Sequence, residues 1–251
     1  MIRLDGQVAL VTGAGRGIGA AIAILFGRLG ARVAVNYRED EHSAQATAQA
    51  VRETGAAVVV LRADVSRPAE ADRLIAETEA ALGPLDILVV NQGIWKRASI
   101  ALMTQDEWNE TLSVNLGAAY ALCHYAVRRM LPRRRGVIVT IASTAGQRGE
   151  AHYSHYAASK GALIAFTKSL AAELAPAGIR VNGIAPGWVL TDMSRVALSG
   201  EAGQEALAKI PLGRPGTPEE IAGPVAFLAS DLASYLYGEI LSVNGGAVMG
   251  A

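Results

Sequence analysis

Short runs of apolar, often β-branched residues alternate along the chain with longer stretches whose apolar positions recur every three to four residues. Residues 8–11, 33–35, 58–61, 87–90, 137–141, 179–184 and 240–243 read as strands. Helical patterns lie between them at 17–29, in a polar stretch ending at Gly55, and at 68–82, 105–131, 156–175 and 218–229. Pro68 opens the third helix and Gly83-Pro84 closes it. This alternation predicts an α/β fold: one doubly wound, mostly parallel sheet with helices on both faces. The near-continuous apolarity of the strands agrees, because parallel strands are buried on both sides. No shift in composition marks a boundary, so residues 1–251 read as one domain, with a Gly- and Pro-containing segment at 188–211 expected to form a lid over the strand ends. Ligands on such sheets sit beyond the carboxyl ends of the strands, where the strand order reverses.

The first of those strand ends carries Thr12-Gly13-Ala14-Gly15-Arg16-Gly17-Ile18-Gly19. Glycines in a strand–turn–helix context let the backbone approach a pyrophosphate, and the helix N-terminus offers N–H donors and a partial positive charge. Glycines serving the turn alone are the plainer reading. The second strand ends in Asn36-Tyr37-Arg38. An acid at its first position would favour the ribose hydroxyls of NAD. Its absence, with Arg38 and Arg16 placed to meet a 2′-phosphate, favours NADP(H), while Glu39 keeps NAD(H) open. Asp64 and Val65 follow the third strand and fit an adenine, the aspartate through its amino group and Val65 through its backbone N–H; a helix N-cap is the other use of Asp64. Asn91-Gln92-Gly93 follows the fourth strand, close to where a cofactor ribose would pass.

Tyr156 and Lys160 are four residues apart and share a helix face. A free phenol titrates near ~10. An ammonium about 4 Å away is expected to lower it by roughly 2–3 units, tuning Tyr156 as a proton-transfer acid/base. Ser143, just past the fifth strand, is placed to hold a substrate oxygen beside that phenol. Asn115, in the middle of the 105–131 helix, needs partners for a buried amide, and a water linking Lys160 to solvent is one. Tyr153 lacks the lysine partner, since position 157 is Ala. His152 and His155 fit pocket lining better than a metal site, for no Cys or carboxylate cluster accompanies them.

These residues together resemble the short-chain dehydrogenase/reductase family over nearly the whole chain. The resemblance runs from the glycine turn through Asp64, Asn91-x-Gly93, Asn115, Ser143, Tyr156-x-x-x-Lys160, Pro186-Gly187 and Thr191 to Asn244-Gly245-Gly246. It implies a seven-stranded Rossmann sheet and a catalytic tetrad of Asn115, Ser143, Tyr156 and Lys160. Lys160 would also hold the nicotinamide ribose. Pro186, Gly187 and Val189 would place the carboxamide, and Thr191 would touch the cofactor. Gln92 departs from the pattern by standing where a small residue is usual. Within the family the chain is most similar to bacterial 3-oxoacyl-acyl-carrier-protein reductases. That implies NADPH-dependent reduction of a 3-oxoacyl ketone, an acyl-carrier partner met by Arg128 and Arg129, and a homodimer or homotetramer built on the 105 and 156 helices. Ala172 stands where those reductases tend to carry a basic residue, so reduction of a free small ketone or sugar stays open, as does a non-catalytic NADP(H)-binding role.

Composition narrows the partners. Lys+Arg and Asp+Glu are equal at 23 each, which gives no electrostatic reason to expect nucleic acid or an anionic membrane. Arg133 to Arg135 read as a solvated helix end. The one cysteine, Cys123, rules out an intrachain disulfide and reads as a buried small hydrophobe. With no signal-peptide pattern and no apolar run long enough to span a bilayer, the expected location is cytoplasmic.

Overall fold

The computed structural model describes residues 2–249; Met1, Gly250 and Ala251, the ends of the expected single domain, lie outside the described residues. Seven parallel strands form one sheet in the order β3-β2-β1-β4-β5-β6-β7. They are β1 (Val8–Val11), β2 (Arg32–Tyr37), β3 (Val58–Arg62), β4 (Leu85–Val90), β5 (Gly136–Ile141), β6 (Ile179–Pro186) and β7 (Ile240–Val243). The order reverses between β1 and β4, so the chain segments leaving those two strands diverge and leave a crevice between them.

Alternate strand residues feed two cores. Ala9, Val11, Val33 and Val35 pack against α1 (Gly17–Arg28), α2 (Glu41–Arg52) and α10 (Pro218–Ala229). Val8, Leu10, Leu85 and Leu88 face α3 (Pro68–Leu82), α5 (Ala118–Met130) and α7 (Ser154–Leu174). Both faces of the central strands are buried, which is why their sequences are continuous apolar runs rather than alternating ones. Cys123 lies in the second core, and burial pushes its thiol up to about 12, as expected of an inert residue. Among the described residues no helix is long and apolar enough to cross a membrane.

The 105–131 helix is interrupted. It runs as α4 (Gln105–Leu112), a π-helical turn at Ser113–Gly117 and then α5. Thr104 starts α4 with a reciprocal capping box to Glu107. The π turn falls on Asn115, and such turns concentrate where a side chain has to be re-aimed. Two further short helices, α6 (Thr144–Arg148) and α8 (Asp192–Arg195), follow β5 and β6, and α9 (Gly200–Ala208) completes the 188–211 segment.

Candidate active site

A cavity of about 590 Å³ opens over the carboxyl ends of the strands. Its floor is the turn after β1. A Cβ on Gly19 would lie 2.4 Å from the Gly13 carbonyl oxygen and 2.6 Å from Asn91 Nδ2, so only glycine fits there. Gly13 and Gly17 both have positive φ, at 59° and 55°. Arg16 precedes α1 without capping it, and the first turn holds no acid, so the helix N–H groups are left to face the cavity. A bare floor of N–H donors with no Cβ atoms fits an anionic diphosphate.

Side chains from three strand ends brace this floor. The Asn91 backbone N–H donates to the Thr12 hydroxyl at 3.0 Å, and Asn91 Nδ2 donates to the Thr12 and Gly13 carbonyls at 2.9 and 3.2 Å. Gln92 Oε1 lies 2.6 Å from Thr12 Oγ1, while its Nε2 is buried with no hydrogen-bond partner among the described residues. Gln92 therefore supports the turn from a position where the family pattern has a small residue. Asn36 behaves alike: Oδ1 accepts from the Gly13 N–H at 3.3 Å, and Nδ2 donates to the Leu61 and Ala63 carbonyls at 3.3 and 3.2 Å. It ties β2 to the turn and to β3.

One end of the cavity is charged. Tyr37, Arg38, Asp64 and Val65 line it together with Arg16. Arg38 pairs with Glu39 at 2.8 Å and Arg16 approaches Asp192 at 3.8 Å, both near the surface, where such pairs hold weakly and open readily for another anion. Asp64 does not cap α3, whose N-cap is Arg67. Its carboxylate instead accepts from the Ser66 N–H and hydroxyl at 3.1 and 2.6 Å. Although burial raises the Asp64 pKa, those two bonds and nearby Arg38 and Arg67 bring it below the ordinary carboxylate value.

At the other end β5 and α7 bring Ser143, Tyr156 and Lys160 together. Ser143 caps the short α6, accepting from the Ala145 N–H at 3.1 Å. Lys160 is 4% exposed; its ammonium donates to the Ile141 carbonyl at 2.7 Å and lies 5.9 Å from the centroid of the Tyr156 ring. Gly146 beside it is required, whereas Gly93 leaves room near the ammonium. A Cβ on Gly93 would come within 3.5 Å of Lys160 Nζ, and one on Gly146 within 2.5 Å of the Lys160 carbonyl carbon.

The titration of the pair corrects the sequence expectation. Burial pushes the Tyr156 phenol up to about 12, helped by the Glu150 carboxylate and opposed by the Ser143 hydroxyl. Burial also brings Lys160 down to about 8. Desolvation dominates because burial works on both groups, while the ammonium lies 5.9 Å from the ring centroid. Asn115 is buried and fully engaged. Its Oδ1 accepts from the Ile94 N–H at 2.8 Å, and its Nδ2 donates to the Ile94 carbonyl and to Ser159 Oγ, each at 3.0 Å. Both amide hydrogens hold the 94 segment against α7, which meets the expectation that a buried amide finds partners.

Beyond Tyr156 the wall is aromatic, which the sequence reading missed. Trp95 stacks on Tyr153 at 4.4 Å and 6°, and meets Trp188 edge-on at 5.7 Å and 86°. Tyr153, set aside for want of a lysine partner, thus backs the wall through Trp95. His152 and His155 do not line the cavity. His152 is exposed, and His155 is buried on α7 with neither ring nitrogen hydrogen-bonded among the described residues. The basic run is mostly committed elsewhere: Arg129 pairs with Asp72 and Glu79, and Arg133 and Arg135 with Asp86, leaving Arg128 exposed. Among the described residues no three His, Cys, Asp or Glu side chains gather as a metal site.

The doubly wound sheet with its glycine floor and Tyr–Lys wall defines a dinucleotide-dependent oxidoreductase architecture. A family model described as enoyl-(acyl carrier protein) reductase matches residues 13–248. The 3-oxoacyl-acyl-carrier-protein reductase FabG of Escherichia coli (strain K12) is 42% identical over 248 residues, covering 99% of this chain and 100% of that protein. Among solved structures, levodione reductase superposes with a TM-score of 0.94 at 32% identity, covering 97% and 98% of the two chains. A putative NAD(P)-dependent gluconate 5-dehydrogenase from Beutenbergia cavernae, with bound NADP at low occupancy, gives 0.92 at 40% identity and 98% of each chain. The chain belongs to the short-chain dehydrogenase/reductase family of NAD(P)-dependent oxidoreductases.

Lys160 is held in its charged form at a cost. With its folded pKa depressed to about 8 from 10.5, the unfolded chain binds the extra proton over that window, and stability rises with pH through it. Lys160→Met should therefore raise the unfolding free energy at pH 7 by about 1–3 kcal/mol. The gain should shrink by pH 10, as read by urea unfolding; a variant less stable than wild type at pH 7, with no trend in pH, contradicts this.

Proposed function

We propose that the protein reduces a 3-oxoacyl-type ketone to a secondary alcohol with NADPH, Tyr156 serving as the general acid. The observation that carries this reading is the placement of Ser143, Tyr156 and Lys160 on one wall of the cavity floored by the glycine turn. Gly13, Gly15, Gly17, Ile18 and Gly19 would hold the diphosphate, and Arg38 with Arg16 the 2′-phosphate. Asp64 and Val65 would meet the adenine, with Tyr37 beside it. Asn36, Asn91 and Gln92 act by fixing the floor, and Gly93 leaves room between it and Lys160. Tyr156 and Lys160 would take the nicotinamide ribose hydroxyls, and Pro186, Gly187, Val189 and Thr191 the carboxamide end. NADPH supplies the hydride.

The protein supplies the proton. Ser143 holds the carbonyl oxygen and Tyr156 protonates it as negative charge develops. A phenol raised to about 12 is fully protonated at neutral pH, the form that reduction needs, and it remains far more acidic than the alkoxide it meets. Lys160 places a positive charge beside the phenolate left behind. Asn115 keeps α7 and the 94 segment in register, so that these groups face one another.

The 3-oxoacyl substrate is supported by the relative named 3-oxoacyl-acyl-carrier-protein reductase, at 42% identity over its whole length. With Arg129 paired internally, a carrier partner would be met chiefly by Arg128. The segment 188–211 acts as the lid of a single domain. Exposed Tyr120 on α5 suits a homodimeric or homotetrameric assembly through that helix.

Steady-state kinetics with ethyl acetoacetate test both halves of this reading. Tyr156→Phe should cut kcat by roughly 10²–10⁴-fold. Arg38→Ala should lower the NADPH-over-NADH ratio of kcat/KM by about tenfold or more, the loss of one charge-assisted phosphate contact. Near wild-type turnover in the first variant, or an unchanged ratio in the second, removes the corresponding half.

A further inference from the structure

We propose that the part of the cavity beyond Tyr156 selects a small uncharged ring ketone that carries a hydroxyl group, with Trp95 and Trp188 holding the ring and Glu150 the hydroxyl. The proposal rests on the ketone-reductase reading above and adds a second substrate class to it.

Two of the chain's three tryptophans meet in this one corner. Both line the cavity, with ring planes 86° apart. Two flat walls at a right angle fit a compact ring, which can lay its C–H face on one indole and its edge on the other. An extended acyl chain has no face to offer such a corner.

The corner is also fixed. Trp95 is backed by Tyr153, nearly parallel at 4.4 Å. Tyr153 is delivered there by His152, a non-glycine residue at φ 65°, whose carbonyl accepts from the Ala98 N–H at 2.9 Å. The loop before α7 is thus tied across to the segment that carries Trp95. Backbone strain of this kind persists where the surroundings enforce it, and it gathers at ligand-binding sites.

Glu150 lies on the same wall, half-buried, and near enough to Tyr156 to act on its phenol. Burial pushes its carboxyl up, while the Trp95 indole and the Arg148 guanidinium pull it back. Arg148 also lines the cavity, so acid and base offset each other and this end of the site favours a neutral ligand. A carboxylate beside aromatic faces is a hydrogen-bond acceptor in an otherwise apolar setting. A ring hydroxyl satisfies it. A plain alkyl ketone offers it nothing beyond the Trp95 indole and Arg148 it already meets.

The chemistry is the same two-electron reduction. The hydride of NADPH bonds to the ring carbonyl carbon, the C=O π pair moves to oxygen, and that oxygen takes the Tyr156 proton. The ketone becomes a secondary alcohol, NADPH becomes NADP⁺, and water returns the proton to Tyr156.

The test compares kcat/KM for 4-hydroxycyclohexanone, cyclohexanone and ethyl acetoacetate in wild type, Trp95→Ala, Trp188→Ala, Trp188→Phe and Glu150→Gln. Wild type should prefer 4-hydroxycyclohexanone to cyclohexanone by about tenfold. Either Trp→Ala change should lower the ratio of 4-hydroxycyclohexanone to ethyl acetoacetate at least tenfold, and Trp188→Phe should restore most of it. Glu150→Gln should erode the preference for the hydroxylated ring over cyclohexanone, chiefly through KM. Because each readout is a ratio within one protein sample, partial misfolding cancels. No wild-type preference for the hydroxylated ring, or ratios that stay put in the tryptophan variants, overturns the proposal. Tyr156→Phe, run on all three ketones, separates the two readings: persistent turnover there defeats the reductase mechanism, whereas loss of turnover with unmoved ratios defeats only the ring selectivity.

Discussion

A lysine ammonium buried at the end of β5, with one carbonyl for a partner, is the constraint around which the rest of the structure is arranged. An ion in that setting is costly unless its neighbours hold it in place. The Ile141 carbonyl takes one of its hydrogens at 2.7 Å. Gly146 must lack a side chain for the lysine's backbone to fit, and Gly93 leaves space beside its ammonium. Asn115, re-aimed by the π turn, clamps the Ile94 backbone to Ser159 one residue before the lysine. A set of conformational requirements on four different elements is thus explained by where one Nζ atom has to be.

The cavity divides its work between two ends of unlike chemistry. Its charged end gathers Arg16, Arg38 and Asp64 near the surface, where ion pairs are weak and can be exchanged for a ligand's charges. Its reacting end is buried, so Tyr156 and Lys160 titrate far from their usual values. The glycine floor joins the two, and Thr12, Asn36, Asn91 and Gln92 use their hydrogen bonds to stiffen it. A floor held from three strand ends is a rigid reference against which the two ends keep their spacing.

Local patterns were legible in the sequence where a residue's role follows from its own chain neighbours. The strands, the glycine turn and the Tyr156/Lys160 spacing belong to this group, and they placed the sheet and the crevice. Features that depend on burial or on distant partners were not legible. The phenol of Tyr156 shifts upward because desolvation, which spacing does not reveal, exceeds the pull of a cation 5.9 Å from the ring. The 105–131 helix hides a π turn because its composition stays helical throughout. Tyr153 looked idle until the loop at His152 turned it against Trp95, a residue 58 positions away in the sequence by subtraction of the two numbers. Arg129 looked free until α3 supplied Asp72 and Glu79.

The buried ammonium is the claim most open to direct measurement. Selective ¹³Cε labelling of lysine, with the Lys160 resonance assigned by comparison with Lys160→Met, allows its titration to be followed by NMR in the folded protein. The account predicts a midpoint at about 8. A midpoint near the free-lysine value of about 10.4 would mean that the side chain is solvated, and that the arrangement built around it does not hold.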